Sequence, residues 1–547
     1  MIIEKHNKLR NMKLQPKYIL TVAVMIIAIA SCKKDLIKTN TDPNAVTAQV
    51  FDPNNILTTT QLFYTGSTDN AIEVEETEIQ GAGCYIQHWA STSGYYFGDK
   101  YQLSPGGWGS FFDHAYTYGV KYAVDLYTNT TGKPQYKNLH QISRIMKALI
   151  FERITDVYGD VPYFQAGQAY IKSIYFPVYD KQKDIYTDLL KEVSQATDSL
   201  DVNADKPIGD QFYFGADDQI GEWKKFGNTL LLRMAMRLTK VDPETAKTYV
   251  QKVIGKTMES NADNAILQHG TNDPLTINRI YRGIGEDGAI QLDGQMSEAF
   301  IDTMKFHNDP RLPVLSYVYP ADFQPGDDPS AGSSDPADQF GMPNGHSIGN
   351  TPSSIQNYLG HSNPGGFPVD PAYRGSISAY SRPSPIIFNS TAPTLILTYA
   401  ESELLLADAA KRWGIGGNAV DHYNNGVLAA ITMLSAYGDA GTISKEDAQT
   451  YLEANPYNDA NGLNMINTQY WIATFFNEYE AWSNYRRTGF PLLNAVTFTG
   501  GQSPGAIPRR MAYSTVDKQV NPANYNRAVA GLSGGDKITS RMWWDTP

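Results

Sequence analysis

Residues able to do chemistry are common in this chain, but few of them are spaced for it. Residues 283–288 (GIGEDG) match the glycine pattern that cradles a dinucleotide pyrophosphate. Glu286 and Asp287 would oppose that anion, and no βαβ pattern surrounds the segment, so it reads as a turn. Residues 501–505 (GQSPG) have the outline of a nucleophile elbow. That motif uses the backbone N–H after the serine to stabilise an oxyanion, and Pro504 has none. The sequence holds no H-E-x-x-H and no paired-cysteine zinc spacing. Glu73, Glu75, Glu76 and Glu78 could supply the two carboxylates of a glycosidase, but their run reads as a solvated face. Asp327, Asp328 and Asp335 could meet calcium, although not at the spacing of a twelve-residue loop. The expectation is no catalytic set, no metal and no soluble cofactor.

A second pattern suits binding. Tyrosine is abundant, with 35 Tyr against 21 Phe and 8 Trp, and its apolar face and polar tip fit half-exposed contact surfaces. The densest aromatic stretch is HWASTSGYYFGDKYQLSPGGWGSFF (88–112), punctuated by Gly and Ser as a loop or short helix would be. Sugars present apolar CH faces and hydroxyls, so Trp89, Tyr95, Tyr96 and Trp108, with Asp99 beside them, are candidate ligand-binding residues. Trp89 and Trp108 would equally serve a core. Tyr95 and Tyr96 are harder to bury together, because neighbouring side chains diverge. Tyr281 (within NRIYR, 278–282), Arg374 and Tyr380 complete the candidate set.

These side chains need a scaffold, and the apolar spacing makes it helical. Residues 136–158, 180–200, 222–240, 398–413, 419–437 and 464–487 each place apolar side chains at helical intervals. Asp242-Pro243-Glu244 reads as a cap, a first-turn proline and a first-turn acid. Ser444 and Asp447 resemble a capping box. Helices arriving in pairs predict stacked hairpins. Residues 317–393 break the pattern with a Pro-, Gly-, Ser-, Asn- and Asp-rich insert, longer than an ordinary connection. Its Tyr and Arg residues, Arg374 and Arg382 among them, favour a functional loop region over a disordered one. The Trp543-Trp544 pair should dock into the body. Arg486-Arg487 and Arg509-Arg510 read as structural ties.

The beginning of the sequence resembles a lipoprotein signal. Lys5, Lys8, Arg10, Lys13 and Lys17 precede an apolar run, Tyr18 to Ala30, which is too short to span a bilayer. Ile29-Ala30-Ser31-Cys32 then resembles a lipobox, which makes Cys32 the acceptor of a diacylglycerol anchor. The organisation expected is a signal peptide over 1–31, a lipidated tether over 32–50 and one domain over 51–547. Removing the leader takes the formal charge from −12 to −16, since its five Lys/Arg and one Glu carry +4. That disfavours nucleic acid and anionic membrane surfaces as partners. Cys84 is then the sole thiol, so no intrachain disulfide can form.

Eight segments, in order, carry a further resemblance: DVYGDVPYFQA (156–166), PVYDKQKDIYTDLLKEV (177–193), WKKFGNTLLLRMAMRL (223–238), DPRLP (309–313), TYAESELLLADAA (398–410), EAWSNYRRTGFP (480–491), IPRRMAY (507–513) and WWD (543–545). Together they resemble the SusD/RagB family of outer-membrane nutrient-binding lipoproteins, and within it the second SusD-like group. The resemblance implies a mostly α fold of tetratricopeptide-like helix pairs with a loop-rich binding face. It implies a glycan or peptide ligand, an oligosaccharide being the leading reading, handed to a TonB-dependent SusC/RagA-like transporter at the cell exterior. Lys33-Lys34-Asp35 only partly matches the acidic export tag of such proteins. The alternatives are a peptide binder of the RagB type, a lipid-anchored hydrolase, and a lid that touches only its transporter.

Overall fold

The computed structural model describes residues 51–547 apart from 69–70, 105, 272–275, 286–293, 322, 324–326, 349–352 and 359–375. The expected signal peptide, tether and Cys32 lie outside these residues, as does Arg374. Pro53–Pro547 forms one compact unit. Helices of nine or more residues are numbered α1 Asn54–Tyr64, α2 Lys121–Thr130, α3 Lys137–Tyr158, α4 Gln182–Ser199, α5 Gln219–Arg237, α6 Pro243–Val253, α7 Glu298–Phe306, α8 Tyr399–Trp413, α9 Ala419–Thr432, α10 Lys445–Ala454, α11 Gly462–Ala473, α12 Glu478–Thr488 and α13 Pro522–Ala530. The fold is mostly α, as expected.

Helix boundaries follow local chemistry. The Asp242 side chain accepts from the N–H of Thr245 with Pro243 in the first turn. Ser444 caps α10 through the N–H of Asp447. At α8, Thr398 and Glu401 bond reciprocally in a capping box, and Gly414, at φ +66°, ends the helix in the left-handed region. Consecutive helices pack as pairs, α3 on α4, α4 on α5, α5 on α6 and α8 on α9, around a shared apolar core. This is the stacked-hairpin scaffold that the periodicity predicts.

One predicted helix is two. Residues 464–487 split into α11 and α12 around 474–477, where Phe476 adopts φ +70°. The Thr474 hydroxyl bonds back to the Tyr470 carbonyl, and Phe475 and Phe476 stack on one another at 4.4 Å. Phe475 also stacks on Trp89 at 5.9 Å. Aromatic packing across the break prevails over helical periodicity. The acidic run also departs from expectation. Glu73 and Glu78 are buried on and before a π-helix, Val74–Gly83, rather than forming a solvated face. Glu73 accepts from the Ser67 hydroxyl at 2.8 Å, and burial pushes the Glu78 carboxyl up to about 7.

The strands are short pairs that pin loops to the helices. β1 Trp89–Ala90 pairs with β5 Gln295–Met296, β2 Val161–Pro162 with β3 Tyr179–Asp180, β4 Ala265–Leu267 with β8 Thr394–Leu397, and β6 Ser316–Tyr317 with β7 Arg382–Pro383. β6 and β7 bracket most of the insert. Bridges from Ser297 to Met342 and from Val318 to Ser333 fold its described parts onto the body.

The long-range ties are ionic and buried. Arg486 donates to the carbonyls of Asp156 at 2.6 Å and Arg509 at 3.0 Å, with its guanidinium 3.7 Å from the Trp482 ring centre. Arg487 pairs with Asp408 at 3.1 Å, and Arg510 with Asp536. Trp544 is buried, and its indole N–H donates to Asp156 at 2.9 Å. The arginine pairs are structural and the tryptophan docks.

Candidate glycan-binding cleft

A large hollow opens between the first turns of α7, the 344–346 turn of the insert and the extended segment 492–497. It encloses about 1140 Å³, its open mouth included. α7 contributes Glu298, Ala299 and Asp302, the insert contributes Asn344, Gly345 and His346, and the far wall is Leu492 to Thr497. Gln87 closes the floor, and its amide donates to the Asn494 carbonyl. The Tyr358 hydroxyl donates to Glu298, and its ring meets His346 edge-on at 5.1 Å. Carboxylates, amides and an imidazole therefore line a space whose apolar surfaces are Ala299, Leu492, Leu493 and Val496. Such a lining can bond a ring of hydroxyls while its apolar patches meet CH faces. Ala299, Leu492 and Leu493 also border a second hollow of about 1110 Å³, lined by Phe306, Tyr423, Asn455, Asn464 and Thr468.

Three of the eight residues expected to touch ligand support this wall instead. Trp89 is fully buried, donates its indole N–H to Glu478 at 2.9 Å, and offers its carbonyl to the Asn344 amide at 2.7 Å. Asp99 is fully buried and accepts from the same amide at 2.7 Å and from the Gly345 N–H at 2.9 Å. Burial pushes its carboxyl above the usual range, against the neighbouring Lys100 ammonium. Tyr380 is buried against Ala90 and Met342, two residues before Asn344. Three candidates thus hold the 342–345 segment in place from behind. Gly345 lies at φ +80°, and a Cβ there would meet Val496 at 2.5 Å, so glycine is required where the wall closes on 492–497.

The other candidates separate. Tyr96 and Trp108 are core residues, at 1% and 3% exposure, so neither is a platform. Trp108 packs on Tyr85 at 5.7 Å, and its carbonyl accepts from the Tyr158 hydroxyl at 2.7 Å. Burying Tyr96 beside Tyr95 is possible because the two side chains diverge: Tyr95 is 56% exposed and stands on the 93–97 turn with Phe97 6.4 Å away. The Lys100 ammonium ties that turn through the carbonyls of Ser91 and Ser93, at 2.8 and 3.0 Å. Tyr281 is half-buried and packs on Phe388 at 5.4 Å. The cleft residues that sequence reasoning missed are Gln87, Glu298, Asp302, Asn344, His346 and the 492–497 segment. A PNGH turn inside the insert was the available signal. Ser503 bonds the Ala506 carbonyl, and Asp328 and Asp335 cap turns, so these motifs serve the backbone. Among the described residues, no group of three or more His, Cys, Asp and Glu could hold a metal ion.

Gly98 couples the scaffold to the wall. It opens the single turn Gly98–Lys100 that carries Asp99, and a Cβ there would lie 1.8 Å from the Gln80 carbonyl oxygen. Gly98→Ala must displace backbone, so a loss of about 1–3 kcal/mol is expected. Asp99 should move with it, and thermal melting and ligand titration should both register the change.

Among the described residues, no helix is long and apolar enough to cross a membrane. No curated protein matches the chain in sequence. Among solved structures, it is similar to a chitin-binding protein at 30% identity, with 91% of this chain and 100% of the other covered and a TM-score of 0.75. It shares its fold with a Bacteroidetes AC2a SusD-like protein at 23% identity, 91% and 100% coverage and TM-score 0.76. A chitin-binding SusD homologue from Flavobacterium johnsoniae has the same fold at 22% identity, 90% and 98% coverage and TM-score 0.70. The model of the second SusD-like group, described as starch-binding and associating with the outer membrane, matches residues 43–514. With its helix pairs, its pinned insert and this match over most of its length, the chain belongs to the SusD-like family.

Proposed function

We propose that this protein captures an oligosaccharide in the cleft between α7, the 344–346 turn and segment 492–497. It does so as a binder and not as an enzyme. The observation that carries the reading is the full-length likeness to a chitin-binding protein. The polar lining of the cleft supports it. On this reading lipidated Cys32 anchors the protein to the outer membrane, facing the exterior. The captured glycan passes to a TonB-dependent barrel partner.

Calorimetric titration of residues 40–547 with chito- and malto-oligosaccharides tests the proposal. Saturable binding to at least one series is expected, with no release of reducing sugar. Asp302→Ala should weaken that binding roughly tenfold, the effect of losing about one charge-assisted hydrogen bond. Binding to peptides alone would replace the reading with a peptide binder. Oligosaccharide binding untouched by Asp302→Ala would move the site out of this cleft.

A further inference from the structure

Four arginines deep in the helical scaffold each meet a carboxylate. Arg233 meets Glu152, Arg237 meets Asp156, Arg311 meets Asp309 and Arg487 meets Asp408. Arg382 is different. It is the first residue of β7, across from Tyr317 of β6, and is only 4% exposed. Its Nε is sealed from water without a partner. Among the described residues, no carboxylate or carbonyl bonds its guanidinium; its described contact is the Tyr319 ring, 5.8 Å from ring centre to guanidinium carbon. An unpaired buried guanidinium is costly to fold, and fold stability gives no reason to keep it.

Its surroundings suit a flat ligand. Tyr317 meets Tyr319 edge-on at 5.1 Å, and Phe323 lies 4.7 Å from Tyr319 on another side. All three rings are half-buried. The two tyrosine hydroxyls are already used, Tyr319 on the Pro383 carbonyl at 2.9 Å and Tyr317 on that of Pro329 at 2.6 Å. What remains to offer a ligand is ring surface and one guanidinium fork. Among the described residues, the Asp328 carboxylate acts electrostatically on Tyr317 and is itself tied to the Ser330 N–H at 2.9 Å. A planar fork beside aromatic rings matches a carboxylate carried on a pyranose: the carboxylate takes two N–H donors and the CH face takes a ring.

We propose that Arg382, with Tyr319 and Phe323, forms a second subsite that reads the carboxylate of a hexuronate unit in an acidic glycan. The pyranose half of this assignment rests on the glycan reading above; the carboxylate half rests on Arg382 alone. The net negative charge of the chain gives no long-range attraction for such a ligand, so recognition is local.

The test titrates the wild type, Arg382→Gln and Arg382→Lys with trigalacturonate, chitotriose, maltotriose and an acidic tripeptide, and records a melting temperature for each protein. The wild type should bind trigalacturonate. Arg382→Gln should weaken that binding at least tenfold, and Arg382→Lys, which keeps charge but loses the fork, should fall between. Chitotriose binding should be unchanged and the melting temperature not lowered, because no folded partner loses its mate. Trigalacturonate binding lost in Arg382→Gln while neither chitotriose nor maltotriose ever binds would leave this proposal standing and remove the neutral-glycan cleft. Absent or Arg382-independent trigalacturonate binding would overturn the proposal, as would Arg382-dependent binding of the peptide alone. A clear drop in melting temperature for both variants would also overturn it, by showing that Arg382 is held for structure.

Discussion

Arg237→Ala is expected to destabilise the protein by about 3–5 kcal/mol, the range for removing one partner of a buried ion pair. Arg237 is 1% exposed and bonds Asp156 of α3 at 3.0 Å and Glu480 of α12. Glu152 lies 3.9 Å from the same guanidinium. Truncation would leave three carboxylates facing a dry space that the neighbouring Arg233 already shares. The effect should appear as a lowered midpoint in urea with an unchanged slope. Adding Asp156→Asn to Arg237→Ala should recover part of the loss, since it removes one of the orphaned charges.

The same cluster makes stability fall as pH rises through neutrality. Burial pushes the Glu401 carboxyl up to about 7 from an ordinary 4.5, assisted by Glu480 and opposed by Arg233. The folded state therefore holds a proton that the unfolded chain releases. A group raised in this way contributes fully below about pH 4.5, and its contribution is lost as pH climbs to about 7. At roughly 1.4 kcal/mol per unit, the change is on the order of 3–4 kcal/mol. Glu78 of the π-helix titrates in the same window, also pushed by burial. Glu401→Gln should accordingly reduce the slope of stability against pH between 5 and 7 without abolishing it. Asp408 acts at the other end. Although burial opposes it, Arg487 and Arg412 hold its carboxyl at about 2, so its contribution is lost only as pH falls from 3.8 through that value. Urea titrations across pH 1.5 to 8 would check both limbs.

The helical scaffold was legible because its signals are local. Asp242-Pro243 opens α6, and the apolar rows of α3, α4 and α5 face the shared core. The site was less legible because its contacts are distant. Asp99 looked like a ligand contact beside four aromatics, yet its partner is Asn344, 245 residues away. Nothing near Asp99 in sequence reveals that pairing. Trp89, Tyr96 and Trp108 misled for a related reason: aromatic density marks where large apolar area collects, but not which side of the backbone faces solvent. The insert was expected to be a functional loop region. Its contribution to the cleft comes from the small polar turn at 344–346 rather than from its tyrosines, and Tyr380 serves as backing. The break between α11 and α12 escaped detection because Phe475 and Phe476 continue a helical apolar spacing while packing against partners elsewhere.

The docking of Trp544 sets the order of events during synthesis. Its indole completes the environment of Asp156, a residue made 388 positions earlier, and Asp545 pairs with Arg509 and Arg541 close by. Until residues 542–545 have left the ribosome, the inner face of α3 lacks part of its packing and Asp156 lacks one of its donors. Early segments can therefore form helices but cannot lock, and final closure waits for the whole domain. The last turn of such a chain thus acts as a clasp, whose closing depends on contacts between its two most distant parts.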